Sequence, residues 1–375
     1  MDIHIETVDT NRQLKEFVWF GINHYKDCTF AAPPLFFDDF SVLNKEKNPS
    51  LKFMDAQYFL AKQNNQVVGR IAAIINPVAN GHFNTSHARF GWFESVNNPA
   101  VAKALFDAAE KWAHQKGMTH IQGPLGFTDF DQEGMLVEGF DQLATLVGKY
   151  NYSYLPQLVE HCGYKKDTDW NEFQIKLPDR LPERYYRSAA IVREKFKVKP
   201  VKEKRKKVLV KNYGYKIFDL LNTCYRELYN FSALSDEQIT FYIKSYFSFF
   251  QTDLLSIVVD EKDDVVALGI TMPSLSVALQ KAKGKLIPTG WWHLLKALRK
   301  NDKVDLYLIA VHPKYQNKGL TSIVFTELFD VFRKRGFKIA ETNAELEDNN
   351  KVMSLWTDFD PVRHKKRRCY IKQLT

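Results

Sequence analysis

The chain has 375 residues, of which 45% are hydrophobic and 26% charged, and a formal net charge of +9. That length exceeds one ordinary core, so two or three folded units are expected, and the composition fits a folded chain rather than a disordered one. There is no apolar run of about 18 residues, which argues against a membrane span, and the scattered Cys28, Cys162, Cys224 and Cys369 form no CxxC, which argues against a metal site or a disulfide framework.

No leader with a charged head and an apolar middle opens the sequence. A reducing cytoplasm is the expected location. Much of the positive charge sits in Arg193–Lys211 and in Arg363–Arg368. Such runs fit nucleic acid, an anionic ligand such as a nucleotide cofactor, or a basic surface. The first is interleaved with valines and reads as a strand leading into a helix with a solvated basic face. Neither carries the interleaved aromatics of a base-stacking surface, which argues against nucleic acid.

In chain order, a helix is expected over Asn11–Tyr25. Tyr58–Ile75 then reads as strand, polar turn at Gln63–Gln66, strand. A further strand, "ARFGWFES", precedes the amphipathic helix "PAVAKALFDAAEKWAHQKG" and the short strand "MTHIQG". After the proline-rich "LPDRLPER" (177–184), the plan repeats. Helices are expected over about Lys204–Asn230 and Ser235–Phe250. The hairpin Leu254–Met272 turns at Asp260–Asp264. "GWWHLLKALRKND" reads as an inserted helix packed on the domain, with Trp291 and Trp292 in a core or interface. Then come "VDLYLIAV", "LTSIVFTELFDVFRKRG" and "FKIAET". Both long helices end on basic residues and a glycine, Gly117 or Gly336, as the negative helix end and a left-handed C′ position favour. The expected units are 1–178 and 185–375.

The junction "AVHPKYQNKGL" carries chemistry. Pro313 ends the strand, and Gly319 stands just before a helix whose first N–H groups are unpaired and partly positive. Lys314 and Lys318 add mobile charge, making a candidate phosphate site. It is not a P-loop or a dinucleotide fingerprint, because neither GxxxxGK[ST] nor GxGxxG is present.

The stretch from Val311 to Trp356 resembles the acyl-CoA-binding core of the GCN5-related N-acetyltransferase (GNAT) superfamily. Its members carry Q/R-x-x-G-x-G/A after a V-x-P strand end; here Gln316, Gly319 and Thr321 take those places. Asn349, Val352, Leu355 and Trp356 follow the family's N-x-x-A-x-x-L-Y helix, with Trp356 replacing the usual tyrosine. The resemblance implies two tandem α/β units, each a mixed, mostly antiparallel sheet flanked by helices. It implies acyl-CoA, most simply acetyl-CoA, held by Ile309, Ala310, Val311, Gln316, Asn317, Lys318, Gly319, Leu320, Thr321 and Asn349, without a metal. It also implies strands that separate at the Ile309–Val311 level and an oxyanion donor at the Val311 N–H. Indole is no useful acid, so Tyr370 or water would protonate the departing thiolate. The first unit's "ESVNNPAV" lacks Q-x-x-G and is expected to hold no cofactor.

An amine nucleophile needs a base, and Glu341, Glu345 and His312 are candidates. The glycine- and acid-rich stretch Gly123–Leu143 lies after a central strand, where functional loops occur in α/β sheets. Asp129, Asp131 and Glu133 are candidates for binding a small-molecule or peptide amine, with Tyr152 and Tyr154 nearby. Calcium fits poorly, because the rest of an EF-hand loop is missing. The expected activity is acyl-CoA-dependent N-acylation by direct attack. Long-chain acyl or aminoacyl transfer on a double GNAT fold, and acyl-CoA binding without catalysis, are the alternatives.

Overall fold

Alternating apolar side chains around short polar turns form the hairpins, and their faces are covered by amphipathic helices. The computed structural model describes residues 2–246, 250–349, 353 and 355–375. Its strands are β1 (His4–Thr7), β2 (Asp55–Gln63), β3 (Gln66–Ile75), β4 (His87–Ser95), β5 (His120–Gly123), β6 (Met135–Glu138), β7 (Lys165–Lys176), β8 (Lys199–Pro200), β9 (Leu255–Val259), β10 (Val265–Pro273), β11 (Lys303–Val311), β12 (Ile339–Thr342), β13 (Glu345–Leu346) and β14 (Val362–Gln373). The helices are α1 (Asn11–His24), α2 (Phe36–Leu43), α3 (Pro77–Phe83), α4 (Pro99–Gln115), α5 (Tyr154–His161), α6 (Glu183–Phe196), α7 (Lys206–Cys224), α8 (Asp236–Tyr246), α9 (Ser276–Ala282), α10 (Gly290–Arg299) and α11 (Leu320–Arg335).

Both hairpins turn where the sequence places them. Gly117 and Gly336 adopt φ of +77° and +75°, the left-handed conformation that ends a helix without a Cβ clash. Ser235 and Gln238 exchange side-chain and backbone hydrogen bonds at the start of α8, forming a capping box.

The two halves repeat one plan. In each, a hairpin, a strand, a long helix and a short parallel strand follow in order: β2–β3, β4, α4 and β5, then β9–β10, β11, α11 and β12. In the first half α4 covers one face of the sheet and α1 the other. In the second, α11 and α6 cover one face and α7 and α8 the other. This is a mixed α/β architecture of two tandem units.

All fourteen strands among the described residues belong to one sheet, and the last strands of the halves are exchanged within it. The order runs β1-β2-β3-β4-β5-β14-β7-β12-β11-β10-β9-β8, with β6 on β14 and β13 on β7. Thus β14, from the second half, pairs with β5 of the first. In return β7 pairs with β12. The stretch 177–182 between β7 and α6 is where we propose that the halves join.

The exchange explains Arg363–Arg368. This run is not a solvated basic patch but half of an inner strand. Lys365 and Arg367 are 1% exposed. Lys365 bonds both Glu172 and Glu341, and Arg367 bonds Glu172. Arg368 and Lys366 meet Asp169 at 2.8 and 2.7 Å. Burial pushes the Glu172 carboxyl up, but Arg367 and Lys365 outweigh it and hold it at about 2.

Candidate active site

The parallel ladder between β11 and β12 stops at Leu306–Thr342. One more bond, from the Asn343 N–H to the Leu306 carbonyl at 3.1 Å, closes it. Beyond that point the strands part, because β13 turns away to pair with β7. A register shift in the β10–β11 ladder at Tyr307 accompanies the parting. The His312 N–H bonds the Val266 carbonyl on the β10 side. By the alternation of an antiparallel ladder, the N–H and C=O groups of Ile309 and Val311 then face the gap. The Tyr225 hydroxyl donates to the Ile309 carbonyl at 3.1 Å. The Val311 backbone also hydrogen-bonds the Cys224 thiol, which burial nevertheless pushes up to about 12.

Next along the chain is the candidate cofactor loop. Asn317 and Gly319 adopt φ of +58° and +81°, so two left-handed residues curl the chain into the start of α11. No side chain caps this helix. Its first N–H groups are therefore available to an anion. Lys314 and Lys318 are exposed beside them. Gln316 is turned inward, donating to the Val311 carbonyl at 3.3 Å. A Cβ on Gly319 would lie 3.2 Å from both Ser188 and Val192 of α6. The glycine thus serves the turn and the close approach of α6 together. A CoA pyrophosphate fits here by charge and by donor supply.

A cavity of about 170 Å³ opens from the gap between the strands. Ile309, Leu308, Asn343 and Asn349 stand near the parting of the strands. Val324, Phe325, Leu328, Phe329 and Phe332 of α11 line its apolar length, together with Ile175 of β7 and Leu177 just beyond that strand. Val324 to Phe332 spans about 12 Å of helix, so the space is a slot rather than a chamber.

Glu345 lies in the wall of this slot. The Trp356 indole N–H donates to its Oε1 at 2.7 Å. Its Oε2 is buried without a hydrogen-bond partner. Burial raises its carboxyl to about 7 although the indole bond opposes this. Trp356 itself is 5% exposed and packs on Phe325. The residue in the tyrosine position is therefore both core and a holder of Glu345.

Asp129 and Glu133 also line the cavity, as do Tyr225 and Tyr229. Burial raises both carboxyls; Asp129 pushes Glu133 further, well above the carboxylate range, while the hydrogen bond with Glu133 works to lower Asp129. Buried Arg89 is near enough to oppose this. The pair is an acid–carboxylate unit at the polar side of an apolar slot.

Other candidates lie apart. Asp131 accepts from the N–H groups of Phe127 and Thr128, which makes it part of the loop's own turn. Tyr152 and Tyr154 stack on each other at 5.5 Å and bond His24 and Ser95 in the first half, off the cavity wall. Glu341 is 6% exposed and engaged by Lys365 in the seam. The Tyr370 hydroxyl donates to Glu160 at 3.0 Å and its ring joins the core of the first half. The His312 ring accepts from the Lys314 N–H and caps the turn. Val352 falls outside the described residues. Trp291 and Trp292 are half-exposed rather than core. Sequence reading missed Tyr225, Tyr229 and the α11 face. For the last, a signal existed: the apolar stripe of α11 is broader than its packing against the sheet alone requires.

Residues 215–359 match the family model described as "Acetyltransferase (GNAT) family". Over 99% of the chain and 95% of the relative, the sequence is 24% identical to Protein YghO of Escherichia coli. It is 25% identical to a Bacterial ceramide synthase of Caulobacter vibrioides over 100% of the chain and 98% of the relative. Among solved structures, a tandem GNAT protein from the clavulanic acid biosynthesis pathway superposes with a TM-score of 0.56 at 10% identity, covering 100% of this chain and 99% of that one. A glucosamine N-acetyltransferase region of a fungal β-N-acetylglucosaminidase gives 0.55 at 11% identity, covering 99% and 38%. The exchanged strands, the parted β11 and β12 and these likenesses agree on the fold: the chain has a tandem GNAT fold, and its residues 215–359 match the GNAT acetyltransferase family model.

Proposed function

We propose that the protein is an acyl-CoA-dependent N-acyltransferase that moves an acyl chain longer than acetyl onto an amine. The apolar slot along α11 is the observation that carries this reading. An acetyl group would fill only its mouth near Ile309, leaving Leu328, Phe329 and Phe332 lining empty space. The relative named as a ceramide synthase supports the same direction, since a ceramide is an N-acylated lipid amine.

When bound, acyl-CoA supplies the thioester carbonyl. Lys314, Lys318 and the α11 N-terminus would hold its phosphates, and Asn349 its arm. The backbone N–H of Ile309 faces the gap, where it would stabilise charge on a carbonyl oxygen, and that of Val311 would join it by exchanging the Cys224 thiol for the ligand. Glu345, at about 7, matches the requirement for a general base near neutral pH. It takes the proton that the amine loses as its nitrogen bonds carbon. Asp129 and Glu133 attract and orient the amine. Tyr370 stands outside the slot, so solvent, rather than Tyr370, is our proposed proton source for the thiolate.

Thermal shift with CoA, acetyl-CoA and palmitoyl-CoA tests the reading. A ligand at 100 times its Kd stabilises by about 2.7 kcal/mol. The expected order is palmitoyl-CoA above acetyl-CoA and CoA, with N-acyl product from a long-chain amine. Equal shifts for all three would remove the long-chain assignment. No shift with any would remove acyl-CoA binding. A shift without turnover over a panel of amines would favour binding without catalysis.

A further inference from the structure

The α9–α10 segment carries a surface that the acyl-transfer reading does not use. Between Val265 and Asn301 there are six basic residues and no acidic one. All six, Lys281, Lys283, Lys285, Lys296, Arg299 and Lys300, are exposed. Beside them stand large apolar side chains. Ile287 is 77% exposed, Trp292 50%, Trp291 49%, Leu286 47% and Leu295 44%.

The arrangement is built rather than frayed. Leu294 and Ala282 pack under the hairpin against Met272 and Leu35, so the other face of α10 is anchored. The Trp291 indole donates to the Pro288 carbonyl at 2.9 Å, and its backbone N–H bonds the Leu286 carbonyl. The loop and helix therefore present one surface. Gly284 ties it to the first half: its carbonyl accepts from the Phe36 N–H at 2.8 Å. Lys296 lies over the Trp292 ring at 5.2 Å, so charge and aromatic face are presented together.

We propose that this face docks on an anionic lipid bilayer. Paired tryptophans suit the headgroup level, where their apolar rings and polar N–H groups are both satisfied. Leucine and isoleucine beside them add apolar area for the acyl boundary. The six basic side chains, on a segment that carries no acidic residue of its own, are complementary to a negative lipid surface, and each adds attraction that salt screens. No helix among the described residues is long and apolar enough to cross a membrane, so the contact is interfacial. Tyr307 touches both the core beneath this hairpin and the slot, which puts the docking face next to the cavity wall. The inference stands independently of the acyl-transfer reading.

The test is co-sedimentation of the full chain with two kinds of vesicle. One is equimolar phosphatidylcholine and phosphatidylglycerol, the other phosphatidylcholine alone. Binding to the anionic vesicles is expected, with release as salt approaches about 1 M, where the screening length is about 3 Å. Trp291→Ser with Trp292→Ser should weaken partitioning about tenfold or more while leaving the melting temperature unchanged. Lys281→Gln, Lys283→Gln and Lys285→Gln together should remove the preference for anionic lipid. Equal or absent binding to both vesicles, or unchanged binding by the tryptophan variant, would overturn the proposal. So would light scattering showing a dimer that the tryptophan variant splits, because a second copy would then cover the face.

Discussion

The two halves meet the same strand–helix junction with opposite solutions. In the first, Asn98 accepts from the Ala100 N–H at 3.0 Å and Pro99 removes another donor, so the α4 terminus has little left for an anion. In the second, the α11 terminus has no side-chain cap. The sheets differ likewise. Where β11 and β12 part, the first half stays shut: the Leu125 N–H bonds the Phe90 carbonyl at 2.8 Å. That closure needs bare backbone. A Cβ on Gly91 would lie 2.6 Å from the Leu125 carbonyl oxygen, and one on Gly123 would lie 2.1 Å from that of Phe90. The candidate cofactor site is thus an unfinished junction, uncapped and unzipped. One copy of the repeat has been completed, and the other left open.

The comparison can be sharpened most at Glu345, which belongs to the open half alone. Glu345→Gln should lower kcat by about 10²–10⁴ with little change in KM. The wild-type rate should climb with pH up to about 7 and then level, and the variant should lose that rise. Stability should move the other way. The folded carboxyl sits above its ordinary range, so the folded state binds the extra proton and stability falls as pH rises from that range to about 7. The glutamine should therefore gain about 1–3 kcal/mol above pH 7, seen as a higher Tm. An unchanged pH–rate profile would remove Glu345 as the base.

The seam predicts that the halves, though different, do not melt separately. Glu172→Ala strands Lys365 and Arg367 in a buried site and should cost about 3–5 kcal/mol. Calorimetry should show one transition moving down. Two resolved transitions would break the picture of a shared sheet. Because Glu172 is held at about 2, its contribution is present above the ordinary carboxylate range and is lost as pH falls toward 2.

Closure of the first half is tested by Gly91→Val, which should destabilise by about 1–3 kcal/mol through overpacking, without altering acyl-CoA binding. A changed ligand affinity would show that the closed junction still contributes to a site. The smallest effect is expected in the slot. Leu328→Trp should fill it and weaken palmitoyl-CoA about tenfold, or 1.4 kcal/mol, sparing acetyl-CoA. Isothermal titration of both ligands separates the two outcomes.

Much of this was legible in the sequence because it is local. The hairpin turns at 63–66 and 260–264, the helix-ending glycines and the Gln316–Gly319 loop are each written within a few residues. Asp129 and Glu133 were also findable, because a long acidic loop after a central strand has few structural uses. The seam was not legible. Lys365 and Arg367 look like surface charge until Glu172, 193 and 195 residues away, is placed opposite them. Tyr152 and Tyr154 failed for the same reason in reverse: they follow the acidic loop in sequence, yet their hydroxyls are taken by the first half's own backbone. Trp356 looked like a defect because its partner Glu345 was not yet beside it.

The strand exchange has a consequence for how the chain matures during synthesis. The first half's sheet lacks its inner neighbour until residues 362–373 have been made. An emerging first half therefore waits, with the β5 edge unpaired, while the remaining two hundred or so residues are translated. Cutting the chain near 178–185 should then give two fragments, each holding the strand that the other lacks. Co-expressed, they should reassemble by trading those strands, as a split protein does.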